Sequence, residues 1–396
     1  MGWLDLVLAC FALPFLVAAM YLALLSLAAR RAAPPPPGAG VRFDVVVPAH
    51  DEEEGIGETV RSLLALDYPA DLFRVVVVAD NCHDHTRQQA ESAGARVLVR
   101  EDPARRGKGW ALAHAFERLG GEAFADAFVV VDADTLVSPN LLAAFAARLR
   151  GQAAALQARY GVRDPERSRR TRLMRLALAL FHDVRSQGRE RLGLSCGLRG
   201  NGMAFTRQLL LEVPHDAVSL VEDLEYGLRL GLRGHRVEYV DEACVLGEMA
   251  STETGARSQR TRWEGGRRQL RRSYLAPLLR TAWHQRSLML LDLALDLLVP
   301  PLTQLALAVG VGLLACLVGR LLGLTTLVTA APWGLAAVAL TTYVVCGIRA
   351  SGSGLRGAGD LLAAPAFVLW KLSLWLQPDS DWRGEWVRTA RQKRIK

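Results

Sequence analysis

The sequence predicts an α/β domain with a Rossmann-like, mostly parallel sheet, carried between one apolar helix at the N-terminus and about two at the C-terminus. Three observations predict it. Phe43 to Pro48 (FDVVVP), Arg74 to Asp80 (RVVVVAD) and Ala127 to Asp132 (AFVVVD) are short, continuous, β-branched runs, as in strands buried on both faces. Helical patterns over Glu58 to Leu66, Thr86 to Ala93 and Trp110 to Leu119 separate them, which is the alternation that parallel strands need. The 396 residues are 51% hydrophobic yet 22% charged, and the two populations separate: apolar runs at the ends, charge in the middle.

Trp3 to Ala29 is apolar except for Asp5 and exceeds the roughly 20 residues that span a bilayer. Pro14 could kink such a helix, which a membrane tolerates. Arg30 and Arg31 follow, and the positive-inside rule puts that flank in the cytoplasm. The run is too long for a signal-peptide core, and no positive segment follows Met1. Residues 1–31 are therefore expected to be an anchor. Residues 32–41, with Pro34 to Pro37, form a stiff linker. A cytoplasmic domain over 42–286 is expected next, with Ala95 to Arg100 strand-like and helices over Asn140 to Arg150 and Ser168 to Arg189.

Residues 287–377 are expected to be interfacial and transmembrane helices. Leu288 to Val299 carries Asp292 and Asp296 and suits the interface better than hydrocarbon. Pro300 to Gly319 and Thr325 to Ile348 are each long enough to span. Leu361 to Leu376, with Lys371 among aromatic residues, reads as an interfacial helix. Residues 378–396 form a basic tail. One span before the domain and two after it place domain and tail on the same, cytoplasmic side. A bacterial inner (plasma) membrane is the expected location.

The net charge is +8, and the arginines cluster beside the apolar segments. That favours a lipid surface and a diphosphate ligand over nucleic acid, for which no motif is present. The cysteines, from Cys10 to Cys346, are dispersed without paired spacing, so neither a disulfide framework nor a zinc site is expected.

Several constellations could carry chemistry. Asp132-Ala133-Asp134 closes a buried strand, and two carboxylates there suit Mg2+ or Mn2+ held against phosphates. Asp80 closes the preceding strand and could bond a base or ribose. The polar segment Asn81 to Thr86 is too tightly packed for its His, Cys and Asp all to face one ion; a turn or helix cap from Asp84 or Thr86 is the expectation. Pro48, Ala49, His50, Asp51, Glu52 and Glu53 follow the first strand, either as an acidic helix start or as a ligand loop. Arg105 to Gly109 is a basic, glycine-flanked loop whose amides and cations could meet phosphate, without Walker spacing. Glu222 and Asp223 fall in the first turn of a helix expected near Ser219. They either complement its dipole or supply a general base. Gln259, Arg262 and Trp263 lie in a basic stretch before the membrane, where arginine could hold diphosphate and tryptophan stack on sugar.

In this order, VVVPAHDEE, VVADNCHDHT, RRGKGWAL, VVVDADT, GNGMAFTR, VEDLEYGLRL and QRTRW resemble family 2 glycosyltransferases. The similarity is greatest to the membrane-integrated branch with cellulose, chitin and hyaluronan synthases and ceramide glucosyltransferase. It runs from about Phe43 to about Arg272. The resemblance implies a GT-A fold and inverting, metal-dependent transfer from a nucleotide-sugar, with UDP the expected nucleotide. By the same resemblance, Pro48, Ala49, His50 and Glu52 would wrap the nucleobase, and Asp80 would meet base or ribose. Lys108, Asp132 and Arg262 would hold the donor, with Asp134 and Asp132 on the metal. Glu222 and Asp223 would face the acceptor, with Asp223 as base, and Gly200, Asn201, Gln259 and Trp263 would line the acceptor site. The expected acceptor is a membrane-proximal lipid or glycan. The chain departs from relatives at Ala79, where many have Asp, and at Val221, where many have Thr. It has fewer apolar helices than polymer-exporting synthases. A processive polysaccharide synthase is the alternative within the family; a non-catalytic, membrane-tethered binder of anionic ligands is the alternative outside it.

Overall fold

The computed structural model describes residues 2–31, 36, 38, 40–217, 219–249 and 253–361. Eight strands form one sheet: β1 (Phe43–Ala49), β2 (Phe73–Asp80), β3 (Arg96–Arg100), β4 (Ala127–Val130), β5 (Thr135–Val137), β6 (Ala155–Val162), β7 (Met203–Thr206) and β8 (Val237–Gly247). Their order is β3-β2-β1-β4-β7-β6-β8-β5. The first four are parallel, with Val45 opposite both Val75 and Val129. Beyond β4 the sheet becomes mixed: β7 runs antiparallel to β4 and β6, β8 is parallel to β6, and β5 is antiparallel to β8.

The valine runs are continuous because both sheet faces are covered. Val45, Val47, Val75, Val77 and Val129 point into one core with Ile56, Leu63 and Phe145. Val46, Val76, Val78 and Val130 point into the other, with Leu112, Phe205 and Tyr226. A period of two with apolar partners on each side keeps the valine runs apolar, while Asp44 near the start of β1 is buried against Arg74 of β2. The expected parallel half is thus observed. The mixed half comes from β6, β7 and β8, whose mixed composition carries no such run.

Three helices are long and apolar enough to cross a membrane, within Asp5–Ala28, Leu302–Leu321 and Leu327–Ser351. Ala18, Ala19, Leu22 and Ala23 of the first pack with Ala336, Ala339, Leu340 and Tyr343 of the third, where small residues let the backbones approach. Asp5 has a local role: its carboxylate accepts from the Thr326 amide at 3.0 Å, at the start of the third helix. The interfacial helix expected over Leu361 to Leu376 and the basic tail lie outside the described residues, apart from Leu361.

The arginine-rich helix expected over Ser168 to Arg189 has an interruption. Ser168 caps Arg169–Leu178, accepting from the Thr171 amide, and Arg185–Arg191 is again α-helical. Between them Ala179–Val184 is a π-helix, a distortion often found at functional sites. The helix Leu288–Leu298 packs on the domain. Leu290, Leu293 and Leu297 pack with Leu228 of the helix Glu222–Leu232, with Val221 just before it, and with Leu270 and Leu278 of the long helix Glu253–Gln285.

Candidate active site

Two adjacent loops leave the carboxyl ends of β1 and β2. Asp51 (φ 53°) and Asn81 (φ 51°) turn the chain there in left-handed conformations, which Asp and Asn tolerate better than most residues. The loops are clasped through backbone amides: His83 donates to Asp51 at 2.7 Å, Glu52 to the Thr86 hydroxyl at 2.7 Å, Glu53 to Asp84 at 3.1 Å and His85 to Glu53 at 3.0 Å. Asp84 also accepts from the Thr86 amide at 2.9 Å, the turn-forming role expected of it. One ligand atom each from Asp51, Cys82 and Asp84 comes within 4.8 Å of the others. The Asp51 and Asp84 carboxylates in this trio also bind the loops together.

His50 Nδ1 lies 2.7 Å from the Asp80 carbonyl. A carbonyl only accepts, so this geometry assigns the proton to Nδ1. Pro48 and Ala49 close β1 beside this pair. The Asp80 carboxylate, 5% exposed, is ion-paired with Arg100 and accepts from the Asn81 amide group at 3.0 Å. The partner Arg100 was not singled out in the sequence; it ends β3, the neighbouring strand in register.

The second half of the site gathers four distant segments. Lys108 opens the helix Lys108–Gly120 and donates both to the Asp132 carboxylate and to the Gly200 carbonyl. The Asp132 amide donates to the Asn201 side chain at 3.1 Å, and that side chain donates to the Thr135 hydroxyl at 2.8 Å. Gln157, fully buried on β6, braces this loop from below. Its amide group donates to the Asn201 carbonyl at 2.8 Å and its oxygen accepts from the Arg199 amide at 2.8 Å. The turn of Asp132-Ala133-Asp134 is tethered from behind by the Thr59 hydroxyl, 2.8 Å from the Ala133 carbonyl.

Gly200 has φ +82°, and a Cβ there would stand 3.2 Å from Asp223 Oδ2 and 3.6 Å from Lys108 Nζ. Glycine is required twice over, by conformation and by space. Gly200→Ala is expected to destabilise the fold by about 1–2 kcal/mol from the left-handed backbone alone, seen as a lowered thermal midpoint. A midpoint equal to wild type would mean that the loop relaxes.

Glu222 and Asp223 occupy the first turn of Glu222–Leu232. Burial and the neighbouring Asp223 carboxylate push Glu222 up to about 7. Burial likewise raises Asp223 above the usual carboxylate range, against the opposing pull of Lys108 and Arg199. Burial disfavours the charge on Lys108, but Asp132, Glu222 and Asp223 outweigh it and hold its pKa up. Tyr160 on β6 is a further neighbour not anticipated from sequence: burial, then Asp132 and Asp134, raise its phenol well above the ordinary range.

The long helix Glu253–Gln285 closes one side. Gly266 abuts Val221, where a Cβ would meet the valine side chain at 2.7 Å. This close approach brings Arg262, one turn earlier, near enough for its charge to favour ionised Glu222. The Arg262 Nε is buried without a hydrogen-bond partner. Trp263 is 39% exposed. Gln259 lies on the same helix, with its side chain outside the described residues.

The family model described as "Glycosyltransferase like family 2" matches residues 38–266, more than half of the chain. This chain belongs to that family. Its relatives include the probable glycosyltransferase YdaM of Bacillus subtilis, 25% identical over 59% of this chain and 57% of the relative. The beta-monoglucosyldiacylglycerol synthase of Synechocystis is 32% identical over 56% of this chain and 47% of the relative. The matches thus span about half the length of these curated relatives. Among solved structures, the mannosyltransferase PcManGT from Pyrobaculum calidifontis, in complex with GDP-Man and Mn2+, shares the fold with a TM-score of 0.54. It is 22% identical, covering 88% of this chain and 99% of that one. The GT-A fold expected from the resemblance is the fold observed.

The acids at this site suit a hard divalent ion. Asp132 and Asp134 offer carboxylate oxygens, the donors that Mg2+ and Mn2+ prefer. A cation, the Lys108 ammonium, already sits on Asp132. Asp134 accepts from the Thr135 hydroxyl at 3.3 Å, which orients its carboxylate.

Proposed function

We propose that this glycosyltransferase moves a sugar, with inversion, from a UDP-sugar to a lipid or glycan acceptor at the membrane surface. The observation that carries this is the convergence of Lys108, Asp132, Gly200 and Asp223 beyond the carboxyl end of β4. Ligands of open α/β sheets bind outside that edge. The nucleobase lies against Pro48, Ala49, His50 and Glu52, with Asp80 behind them and its carboxylate tied to Arg100. Residues 42–286 stand on the cytoplasmic side, where nucleotide-sugars are made.

Asp223 accepts the proton of an acceptor hydroxyl as that oxygen attacks the anomeric carbon from the face opposite the leaving group. One glycosidic C–O bond forms, the C–O bond to the diphosphate breaks, and the electron pair leaves on phosphate. Lys108 and Arg262 stabilise that charge as fixed cations. Asp132 and Asp134 would hold a divalent ion, which offsets charge on a leaving diphosphate. Burial of Asp223 raises its basicity above that of an exposed carboxylate, as general-base work requires. A lipid acceptor is supported by the name of the Synechocystis relative and by the apolar helices around the domain.

The test uses the full chain in lipid nanodiscs with UDP-glucose, UDP-galactose and GDP-mannose, with Mn2+ or with EDTA. Metal-dependent nucleotide release from one UDP-sugar is the expected result, with a product bearing a single sugar. Release from GDP-mannose alone would overturn the UDP assignment. A polymeric product would favour a processive synthase. Absence of binding to every donor would leave the anionic-ligand binder.

A further inference from the structure

A buried ionic cluster joins the catalytic domain to the membrane helices, and its charges do not balance. Arg185 and Arg189 are 5% and 2% exposed. Both pair with Asp296, and Arg189 also donates to Asp292 at 2.9 Å. Arg267, from the long helix, donates to the Asp296 carbonyl and lies 3.2 Å from its carboxylate. Tyr21 of the N-terminal span donates to Asp292 at 2.6 Å and accepts from Arg189 at 2.6 Å.

Arg199 completes the group. Its guanidinium lies 4.3 Å from the centroid of the Phe181 ring, and that of Arg185 lies 4.6 Å from it. The π-helix Ala179–Val184 carries this ring. Among the described residues, Asp292 and Asp296 are the only carboxylates hydrogen-bonded to Arg185, Arg189 and Arg267, while Arg199 donates to the Cys196 carbonyl at 3.0 Å and to no carboxylate. Nε of Arg185 and Nε of Arg199 are both buried without a partner. Arginine does not escape by losing its proton, and uncompensated buried charge is strongly unfavourable. An excess of guanidinium therefore calls for an anion.

Position says which anion. Arg199 directly precedes Gly200, which abuts Asp223, so the cationic cluster begins one residue from the base. On its other side it reaches Tyr21, in a helix long and apolar enough to cross a membrane. A ligand joining the two has an anionic group at the membrane surface and a hydroxyl close by. Guanidinium pairs favour phosphate oxygens in this role.

We propose that Arg199 and Arg185, on the Phe181 ring and backed by Arg267, bind the phosphate of an anionic lipid acceptor and place its free hydroxyl at Asp223. The acceptor is a phospholipid-class molecule rather than a neutral glyceride. This rests on the assignment of Asp223 as base and narrows the acceptor of that reaction.

The experiment presents the detergent-solubilised full chain with dioleoylphosphatidylglycerol, dioleoylglycerol or inorganic phosphate, and reads bound lipid by native mass spectrometry. Wild type is expected to retain phosphatidylglycerol over dioleoylglycerol by about ten-fold or more, the scale of charge-assisted hydrogen bonds. Arg199→Gln should abolish that preference and Arg199→Lys should keep part of it. Arg233→Gln, at an exposed arginine on another surface, should keep all of it. Equal retention of the two lipids by wild type would overturn the proposal. So would an Arg199→Gln variant that melts like wild type and still prefers phosphatidylglycerol. Displacement of phosphatidylglycerol by equimolar inorganic phosphate would overturn the lipid part, since a free-phosphate site would explain it. Nucleotide release from donor by wild type, measured alongside, separates the two failures. Release without lipid preference defeats this inference alone; preference without release from any donor defeats the glycosyl-transfer assignment.

Discussion

Asp223→Asn is expected to remove transfer while leaving donor binding in place. The substitution keeps size and hydrogen bonding but takes away the lone pair that accepts the hydroxyl proton. General-base catalysis contributes about 10²–10⁴-fold, so kcat should fall by that much. Donor affinity, read by calorimetry, should hold because Lys108, Asp132 and the β1 and β2 loops are untouched. A pH profile adds a second signature. Burial raises both carboxyls; the Asp223 charge adds to it at Glu222, which is pushed up to about 7, and Asp132 adds to it at Asp223. A base works only when deprotonated, and Asp223 is raised by burial, so the acid limb of wild-type activity should lie above that of an exposed carboxylate. An exposed carboxylate would place that limb near pH 4. Residual activity of Asp223→Asn should lack the limb. Full turnover in that variant would remove Asp223 from the mechanism.

Asp296→Ala is expected to give the largest loss of stability. Three guanidiniums converge on this carboxylate, from the arginine-rich helix and the long helix. Their attraction outweighs burial and holds Asp296 well below the usual carboxylate range. Its contribution is therefore present above the unfolded pKa and lost as pH falls through the lowered folded one. Removing one member of a buried ionic group typically costs about 3–5 kcal/mol, because the remaining charges stay buried without compensation. The thermal midpoint in detergent should fall by many degrees, and phosphatidylglycerol should restore part of the loss if its phosphate enters the same cluster. An unchanged midpoint would mean that solvent reaches these arginines.

Much of this architecture was legible in the sequence. β1, β2 and β4 announced themselves through valine runs, and the three long apolar helices through length and composition. Asp132, Asp134, Lys108, Asp223 and Arg262 were picked out by residue type and by the order of their motifs. Other participants carried no local signal. Gln157 and Tyr160 sit on a strand without the valine pattern. Arg100 looked like one more arginine in a basic chain. Asp292 and Asp296 carry no local sign of their partners: Asp292 is buried against Arg189 and Tyr21, and Asp296 against three arginines.

The sequence by itself determined the parallel half of the sheet, the apolar helices and the identity of the acids at the strand ends. Such features depend on residues close along the chain, and burial on both faces or along a whole helix leaves a periodic mark. Only the tertiary structure decided that β6 and β7 would complete a mixed sheet, that Gly200 would stand between Lys108 and Asp223, and that Arg185 would meet Asp296 across 111 positions. Charge pairing has no periodicity. It depends on which side chains the packed cores bring together, and that choice is made by the whole fold.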